Sequence, residues 1–130
     1  MVKRERDWLA QAEKDLKHSE NSTKLGDYEW ACFSAQQAAE KSLKAVYEKI
    51  NEISLGHSIL GLLKGLEENF KIPEKFYSYA RILSRYYIEA RYPNGFPEGI
   101  PADYFDEKIA MEAINATKEI FQWCKDIINK

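Results

Sequence analysis

Residues 28–50 read YEWACFSAQQAAEKSLKAVYEKI, and this segment carries the strongest packing signal in the chain. Larger apolar side chains fill its far end, at Leu43, Val46 and Ile50. Small side chains allow a neighbouring helix to approach closely. They recur here at helical spacing, at Ala31, Ser34, Ala35, Ala38, Ala39, Ser42 and Ala45. The segment therefore predicts a long helix that packs tightly against others.

The preceding segment predicts a partner for this helix. From Lys3 to Leu25, apolar and small residues recur at spacings of three and four, and charged residues fill the other positions. Gly26 suits a helix end because glycine readily adopts the left-handed conformation, and Asp27 can cap the helix that follows. We therefore expect an antiparallel helical hairpin joined by one tight turn.

Three further helices are predicted after the hairpin. A short helix begins at His57–Ser58, a fourth spans Glu74–Ala90, and a long fifth runs from about Asp106 to Asn129. No segment alternates with a period of two, and β-branched residues do not cluster, so no strand is expected. The predicted fold is all-α, a five-helix up-and-down bundle built on the hairpin.

Length and composition indicate one globular domain over residues 1–130. Apolar residues make up 45% of the chain and charged residues 31%, and the net charge of −2 provides no global field that would attract nucleic acid. No apolar run reaches the roughly 18 residues of a membrane span, and the start MVKRERDW is too charged for a signal peptide. We therefore expect a cytoplasmic protein with no membrane association.

The sequence offers little support for metal or nucleophilic chemistry. Its two histidines and two isolated cysteines have no metal-ligand spacing, and no phosphate-binding glycine loop or Cys–His pairing is present. Cys32 and Cys124 lie in apolar helical patterns and are expected to be buried packing residues. His18 is expected to be exposed, and His57 to cap, pack or hydrogen-bond at a helix start. No catalytic residue, metal or cofactor is assigned.

Cations and aromatic rings are concentrated near the end of the fourth helix. Arginine offers bidentate donors to phosphate or carboxylate, and aromatic rings can stack on a base. The candidate nucleotide- or anion-binding residues, with two lysines of the second helix as weaker candidates, are Arg85, Arg91, Tyr86, Tyr87, Tyr92, Lys41 and Lys44. The structural alternative is that Arg85 pairs with Glu89 and that Arg91 caps carbonyl groups at the helix end.

The corner that follows, residues 88–101, reads IEARYPNGFPEGIP and holds three of the four prolines and two of the six glycines. Prolines remove backbone freedom, so holding Tyr92, Phe96 and Ile100 against another surface costs less ordering entropy. We therefore expect an interface loop, with Pro93, Phe96 and Pro97 at a subunit interface or a nucleotide pocket.

Four segments together resemble the prokaryotic HEPN domain family. They are WLAQAEKDLKHSE from residue 8, GDYEWACFSAQQAAEKSLKAVY from residue 26, LGHSILGLL from residue 55 and SRYYIEARYPNGFPEGIP from residue 84. Residues 27–44 and 86–93 are the most specific pieces. The resemblance implies a helical bundle that pairs face to face as a homodimer. It also implies a gene neighbour encoding a minimal nucleotidyltransferase, in a toxin–antitoxin-like pair.

Many relatives in that family are metal-independent ribonucleases that use an arginine followed four to six residues later by a histidine. Here the positions five to seven after Arg91 are Phe96, Pro97 and Glu98, and neither histidine follows an arginine at that distance. Nothing near Arg91 in sequence supplies a proton donor or acceptor at neutral pH. The ribonuclease activity is therefore not carried over to this chain.

The preferred interpretation is a binding module that homodimerises and binds a nucleotide, a minimal nucleotidyltransferase, or both. One alternative is a degenerate metal-independent ribonuclease, acting as a toxin, in which Arg91 is assisted by Tyr92 or Asn94. Tyrosine is a poor base at neutral pH because its reference pKa is about 10. Another alternative is a structural dimer without a ligand. Binding of RNA is left open.

Overall fold

The computed structural model describes residues 3–130 and contains five α-helices and no strand within that range. They are α1 (Glu5–Lys24), α2 (Tyr28–Lys49), α3 (Ile59–Gly65), α4 (Lys75–Glu89) and α5 (Glu107–Ile128). Two short 3₁₀ turns, Pro93–Gly95 and Pro101–Tyr104, lie between α4 and α5. The all-α prediction is confirmed, and each helix lies close to its predicted bounds. No helix of the described chain combines the length and apolarity that crossing a membrane requires.

The central element of the bundle is α2, against which α1, α3, α4 and α5 all pack. Its alanines, Ala31 and Ala35 among them, are fully buried, as the small-residue pattern predicts. Neighbouring helices approach closely enough for their hydroxyl groups to reach its backbone. Ser19 of α1 donates a hydrogen bond to the Ala31 carbonyl at 2.6 Å, and Thr117 of α5 donates one to the Ala35 carbonyl at 3.1 Å. These buried polar groups are therefore satisfied at the helix contacts.

The turn between α1 and α2 is as tight as predicted, but the role predicted for Asp27 is wrong. Gly26 has φ +81°, the left-handed conformation that favours glycine at this position. The Asp27 side chain makes no capping hydrogen bond. Its backbone (φ −90°, ψ 67°) is not in the extended region from which a side chain reaches the first-turn amides. Side-chain caps are found at Ser58 for α3 and at Asp106 for α5.

Both cysteines are free and buried, which confirms their predicted packing role. Burial, with a smaller effect from Asp106 and Glu29, raises the pKa of the Cys32 thiol to about 12. Complete burial also raises the pKa of Cys124 well above its ordinary value. Both thiols therefore remain protonated at neutral pH, and neither is a reactive nucleophile.

The corner between α4 and α5 is ordered largely by its own contacts. The Phe96 ring stacks on Tyr104 with 4.1 Å between centroids, and the Tyr104 hydroxyl donates to the Glu98 carbonyl at 2.5 Å. Asp103 accepts a hydrogen bond from the Ile100 amide at 3.1 Å. Pro93 and Pro97 are exposed, and Phe96 is half-buried. These internal contacts hold the corner in one conformation while its prolines Pro93 and Pro97 stay exposed.

Candidate nucleotide-binding site

The guanidinium group of Arg91 lies among three aromatic rings. Its Cζ is 4.4 Å from the ring centroid of Phe33, 4.7 Å from that of Tyr87 and 5.0 Å from that of Tyr92. Its Nε and Nη2 both donate to the Tyr87 carbonyl, at 2.8 and 2.5 Å. The capping role considered as the structural alternative is therefore confirmed. These contacts fix the orientation of the half-buried cation, and within residues 3–130 Nη1 has no hydrogen-bond partner.

The ring of Tyr87 also contacts a histidine. His57, in the segment just before α3, stacks on Tyr87 with 4.3 Å between ring centroids and 14° between ring planes. The imidazole and the Arg91 guanidinium thus contact the same phenol ring. Sequence spacing showed no histidine near Arg91, because the segments that carry the two residues meet only in the folded bundle.

Glu40 of α2 anchors the imidazole. The Nδ1 of His57 lies 3.1 Å from both Oε1 and Oε2 of Glu40. The Glu40 side chain is 6% exposed, and its carboxylate needs partners to offset the cost of its burial. It accepts further hydrogen bonds from Gln36 Nε2 at 3.0 Å and from Lys44 Nζ at 3.1 Å. Both carboxylate oxygens of Glu40 therefore have hydrogen-bond partners, and Lys44 balances the negative charge of the carboxylate.

Two backbone contacts also hold the His57 segment in place. Gln36 Nε2 donates to the His57 carbonyl at 3.3 Å, and Ser84 Oγ accepts from the Ile59 amide at 3.2 Å. Ser84, Tyr87 and Arg91 follow one another at helical spacings of three and four along one face of α4. Both α2 and α4 therefore form hydrogen bonds to the segment at the start of α3. The residues around Arg91 thus come from three separate parts of the chain.

We refer to Phe33, Glu40, His57, Tyr87, Arg91 and Tyr92 as the Arg91 cluster. Of the predicted candidates, Arg91, Tyr87 and Tyr92 belong to it, and Lys44 contacts it through Glu40. Phe33, Glu40 and His57 were not among the candidates. A usable signal existed in Gln36 and Glu40, two polar residues one helical turn apart within a run of small, core-forming residues.

Two candidates from α4 lie elsewhere. The Tyr86 ring is buried in the core, edge-on to Phe105 with 5.5 Å between centroids. Burial raises its pKa to about 12, with a smaller rise from Cys32, while neighbouring Arg85 opposes that rise. Arg85 itself is exposed and forms no ion pair in the described part of the chain, so the pairing with Glu89 is not formed.

Lys41 belongs to a different surface, an open groove along α1 that is also lined by Arg4, Trp8 and Lys14. Its Nζ pairs with the Asp15 carboxylate at 2.7 Å. Arg4 in turn pairs with Asp7 at 3.0 Å. Two of the three cations along this groove are therefore already neutralised. We call this surface the α1 groove.

Exposed apolar side chains surround the Arg91 cluster. Trp30 is edge-on to Phe33 with 6.1 Å between centroids and is 48% exposed, and Tyr92 is 47% exposed. Ile88, one turn before Tyr92 on α4, is 46% exposed. The cluster thus combines an oriented cation with apolar surface that remains open to contact. Within residues 3–130, no group of three or more potential metal-ligating side chains comes together.

These features define the class of protein: an all-helical domain in which an arginine and a histidine, Arg91 and His57, both contact the ring of Tyr87. The family model of the HEPN domain matches residues 5–127, and the chain belongs to that family. None of the curated proteins with which the sequence was compared matches it.

Three solved structures are similar to this chain over nearly its whole length. TT1696 from Thermus thermophilus is 41% identical with a TM-score of 0.94, covering 97% of this chain and 99% of its own. ST0689, an archaeal HEPN homologue, is 37% identical with a TM-score of 0.83, covering 98% and 99%. The HEPN domain protein TM0613 from Thermotoga maritima is 31% identical with a TM-score of 0.78, covering 95% and 98%.

Proposed function

We propose that this chain is a non-catalytic HEPN binding module that forms a homodimer and binds a nucleotide through its phosphate at Arg91. One observation carries the proposal: the Arg91 guanidinium is oriented by three rings and a carbonyl, while its Nη1 has no hydrogen-bond partner among residues 3–130. A guanidinium that is already ordered loses less rotamer entropy when it binds an anion.

The charge balance at the cluster supports an anionic ligand. Glu40 and Lys44 neutralise each other, so the charge of Arg91 is not offset within the cluster. The exposed ring of Tyr92, which contacts the Arg91 guanidinium, offers a surface on which a base can stack. Phosphate contact and stacking together suit a nucleotide better than a bare anion.

The apolar side chains around the cluster supply the proposed dimer interface. Trp30 on α2 and Ile88 on α4 are each about half exposed. Aromatic residues are enriched at the buried centres of protein interfaces. The family also implies a second partner, a minimal nucleotidyltransferase in a toxin–antitoxin-like pair, and we place both interactions in the cytoplasm.

Calorimetric titration tests the nucleotide part of the proposal. ATP, GTP and inorganic phosphate are titrated into the wild type, into Arg91→Ala and into Arg81→Ala, the last removing an exposed arginine of α4 outside the cluster. We expect nucleotide binding by the wild type and Arg81→Ala, and at least tenfold weaker binding by Arg91→Ala, because a charge-assisted contact contributes about 1.5–3 kcal/mol. Equal affinities of the two variants would overturn the proposal.

A second candidate function, metal-independent ribonuclease activity, is favoured by the position of His57. The ribose 2′-hydroxyl would lose its proton to Nε2 of His57, and its oxygen would attack the adjacent phosphorus to form a 2′,3′-cyclic phosphate. The bond from phosphorus to the 5′-oxygen would break, and the leaving 5′-oxygen would take up a proton from water. Arg91 would stabilise the phosphate charge. His57 would thus provide the proton transfer that Tyr92 or Asn94 supplies poorly.

Incubation of purified protein with tRNA and mRNA decides between the two functions. Cleavage by the wild type that is lost in both His57→Ala and Arg91→Ala would establish the ribonuclease. Equal cleavage by all three proteins would indicate contamination, and absence of cleavage would leave the binding module as the supported function.

A further inference from the structure

The side chain of His57 is held in one orientation although it is 52% exposed. Its Nδ1 faces both carboxylate oxygens of Glu40 at 3.1 Å, and its ring is stacked on Tyr87. Gln36 secures the backbone carbonyl of the same residue. In the described part of the chain, the other ring nitrogen, Nε2, has no hydrogen-bond partner. One edge of the ring is thus anchored and the other is open.

The chemistry of these groups determines which nitrogen carries the proton. A carboxylate only accepts hydrogen bonds, so the nitrogen that faces Glu40 must donate and Nδ1 carries a hydrogen. Lys44 Nζ donates to the same carboxylate at 3.1 Å. A neutral imidazole protonated at Nδ1 satisfies Glu40 and has a lone pair at Nε2.

We propose that Glu40 is a positioning residue that fixes His57 in the Nδ1–H tautomer and makes Nε2 a hydrogen-bond acceptor at the edge of the nucleotide site. The choice of ligand rests on the proposed function. The ligand is a nucleoside phosphate that places its phosphate on Arg91 and an O–H or N–H donor on Nε2. The ribose 2′-hydroxyl and an exocyclic base amine both supply such a donor.

The tautomer can be measured without any ligand. Long-range proton–nitrogen NMR spectra, recorded where the imidazole is neutral, distinguish the protonated ring nitrogen from the unprotonated one. We expect Nδ1–H in the wild type. We expect a larger fraction of Nε2–H in Glu40→Gln, because the amide can donate as well as accept and no longer requires a hydrogen on Nδ1. Arg91→Ala should leave the wild-type tautomer unchanged.

Two spectral results would overturn the positioning role. One is an Nε2–H tautomer in the wild type, and the other is an unchanged tautomer in Glu40→Gln. If that variant does not fold, the wild-type spectrum alone decides the question.

Binding of matched nucleotides tests the ligand part. AMP, 2′-deoxyAMP and IMP are titrated into the wild type, Glu40→Gln and Arg91→Ala. We expect wild-type affinity to fall about two- to tenfold for the analogue that lacks the donor, as for one neutral hydrogen bond. Glu40→Gln should lose this discrimination, whereas Arg91→Ala should bind all three nucleotides more weakly.

The pattern of losses identifies the donor as the ribose hydroxyl or the base amine. Equal wild-type affinity for all three nucleotides would overturn the ligand assignment, as would discrimination that persists in Glu40→Gln. If the wild type binds no nucleotide, the proposed function fails together with the ligand assignment, and the spectrum still decides the positioning role.

Discussion

The imidazole ring of His57 lies parallel to the phenol ring of Tyr87, with 4.3 Å between their centroids. One residue precedes α3 and the other lies in the last turn of α4. Glu40 of α2 meets the same imidazole at Nδ1. The Arg91 cluster therefore depends on the packing of three parts of the chain. A substitution in any of them should alter the position of the Arg91 guanidinium.

Removing the Tyr87 ring should weaken both stability and binding. Tyr87→Leu loses the stack with His57 and the contact with the Arg91 guanidinium. We therefore expect the free energy of unfolding, measured by urea denaturation, to fall by about 1–2 kcal/mol. Tyr87→Phe keeps the ring and the backbone carbonyl that Arg91 caps, so it should resemble the wild type. Nucleotide affinity should fall only in the leucine variant. Identical behaviour of the two variants would contradict this account of the cluster.

A methyl group added at Gly65 should destabilise the bundle. A Cβ there would lie 2.1 Å from the hydroxyl oxygen of Tyr47, which is buried and donates to the Leu62 carbonyl at 2.7 Å. Gly65→Ala must displace that hydroxyl and break its hydrogen bond, at a cost of about 1–3 kcal/mol. Urea denaturation measures the loss.

The same helix provides the control for this variant. A Cβ at Gly61 meets Ser58 no closer than 3.5 Å, an ordinary contact. Gly61→Ala should therefore be neutral or stabilising by up to about 1 kcal/mol, since alanine favours a helix. In a Tyr47→Phe background, Gly65→Ala should cost less. Equal effects of the two alanine variants would mean that the Tyr47 contact is not the cause.

Glu119 should make a pH-dependent contribution to stability. It accepts hydrogen bonds from Lys75 and Tyr79 of α4, and these partners lower the pKa of the Glu119 carboxyl below its ordinary value of 4.5. Because the folded pKa is the lower one, the contribution is fully present above the ordinary value. It is lost as pH falls through the folded value.

Thermal melts of the wild type and Glu119→Gln across this range test that prediction. The wild type should be the more stable protein at neutral pH, by a small margin because the group is partly exposed. The margin should shrink as the pH falls below about 4.5. A margin that is constant over the whole pH range would contradict the assigned ion pair.

Ile88 should be important for dimerisation but not for folding. It is 46% exposed, so Ile88→Lys should change the unfolding free energy by less than about 0.5 kcal/mol. A charge at the centre of the proposed interface should raise the dimer dissociation constant more than about tenfold in sedimentation experiments.

Ile53→Lys provides the matched control, because Ile53 is 83% exposed in the loop between α2 and α3, outside the proposed interface. We expect this variant to dimerise like the wild type. A wild-type monomer at micromolar concentration, or equal dissociation constants for the two lysine variants, would exclude the interface around Ile88.

Local sequence signals predicted the helices well because each helix carries its own periodicity and end signals. The small-residue run of α2, the glycine at position 26 and the prolines of the corner all act over a few residues. The failure at Asp27 has a local cause as well, since its backbone does not adopt the extended conformation typical of side-chain caps.

The site was predicted only in part, because its components are distant in sequence. Arg91, Tyr87 and Tyr92 could be selected from their chemistry and proximity along the chain. His57 could not be paired with them, because it lies far from Arg91 in sequence and the two segments meet only in the folded bundle. Glu40 lies beside two lysines, a pattern typical of a solvated helix face, although its side chain is buried. Only its position one turn after Gln36, within a run of small residues, indicates that burial.

The most direct test of nucleotide binding at Arg91 is an NMR titration of the isotope-labelled wild type with ATP, followed through the backbone amide signals. The account predicts that the largest shifts occur at Phe33, His57, Arg91 and Tyr92, and that Arg91→Ala abolishes them. Shifts centred on the α1 groove, around Trp8 and Lys14, or no shifts at millimolar ATP would contradict it.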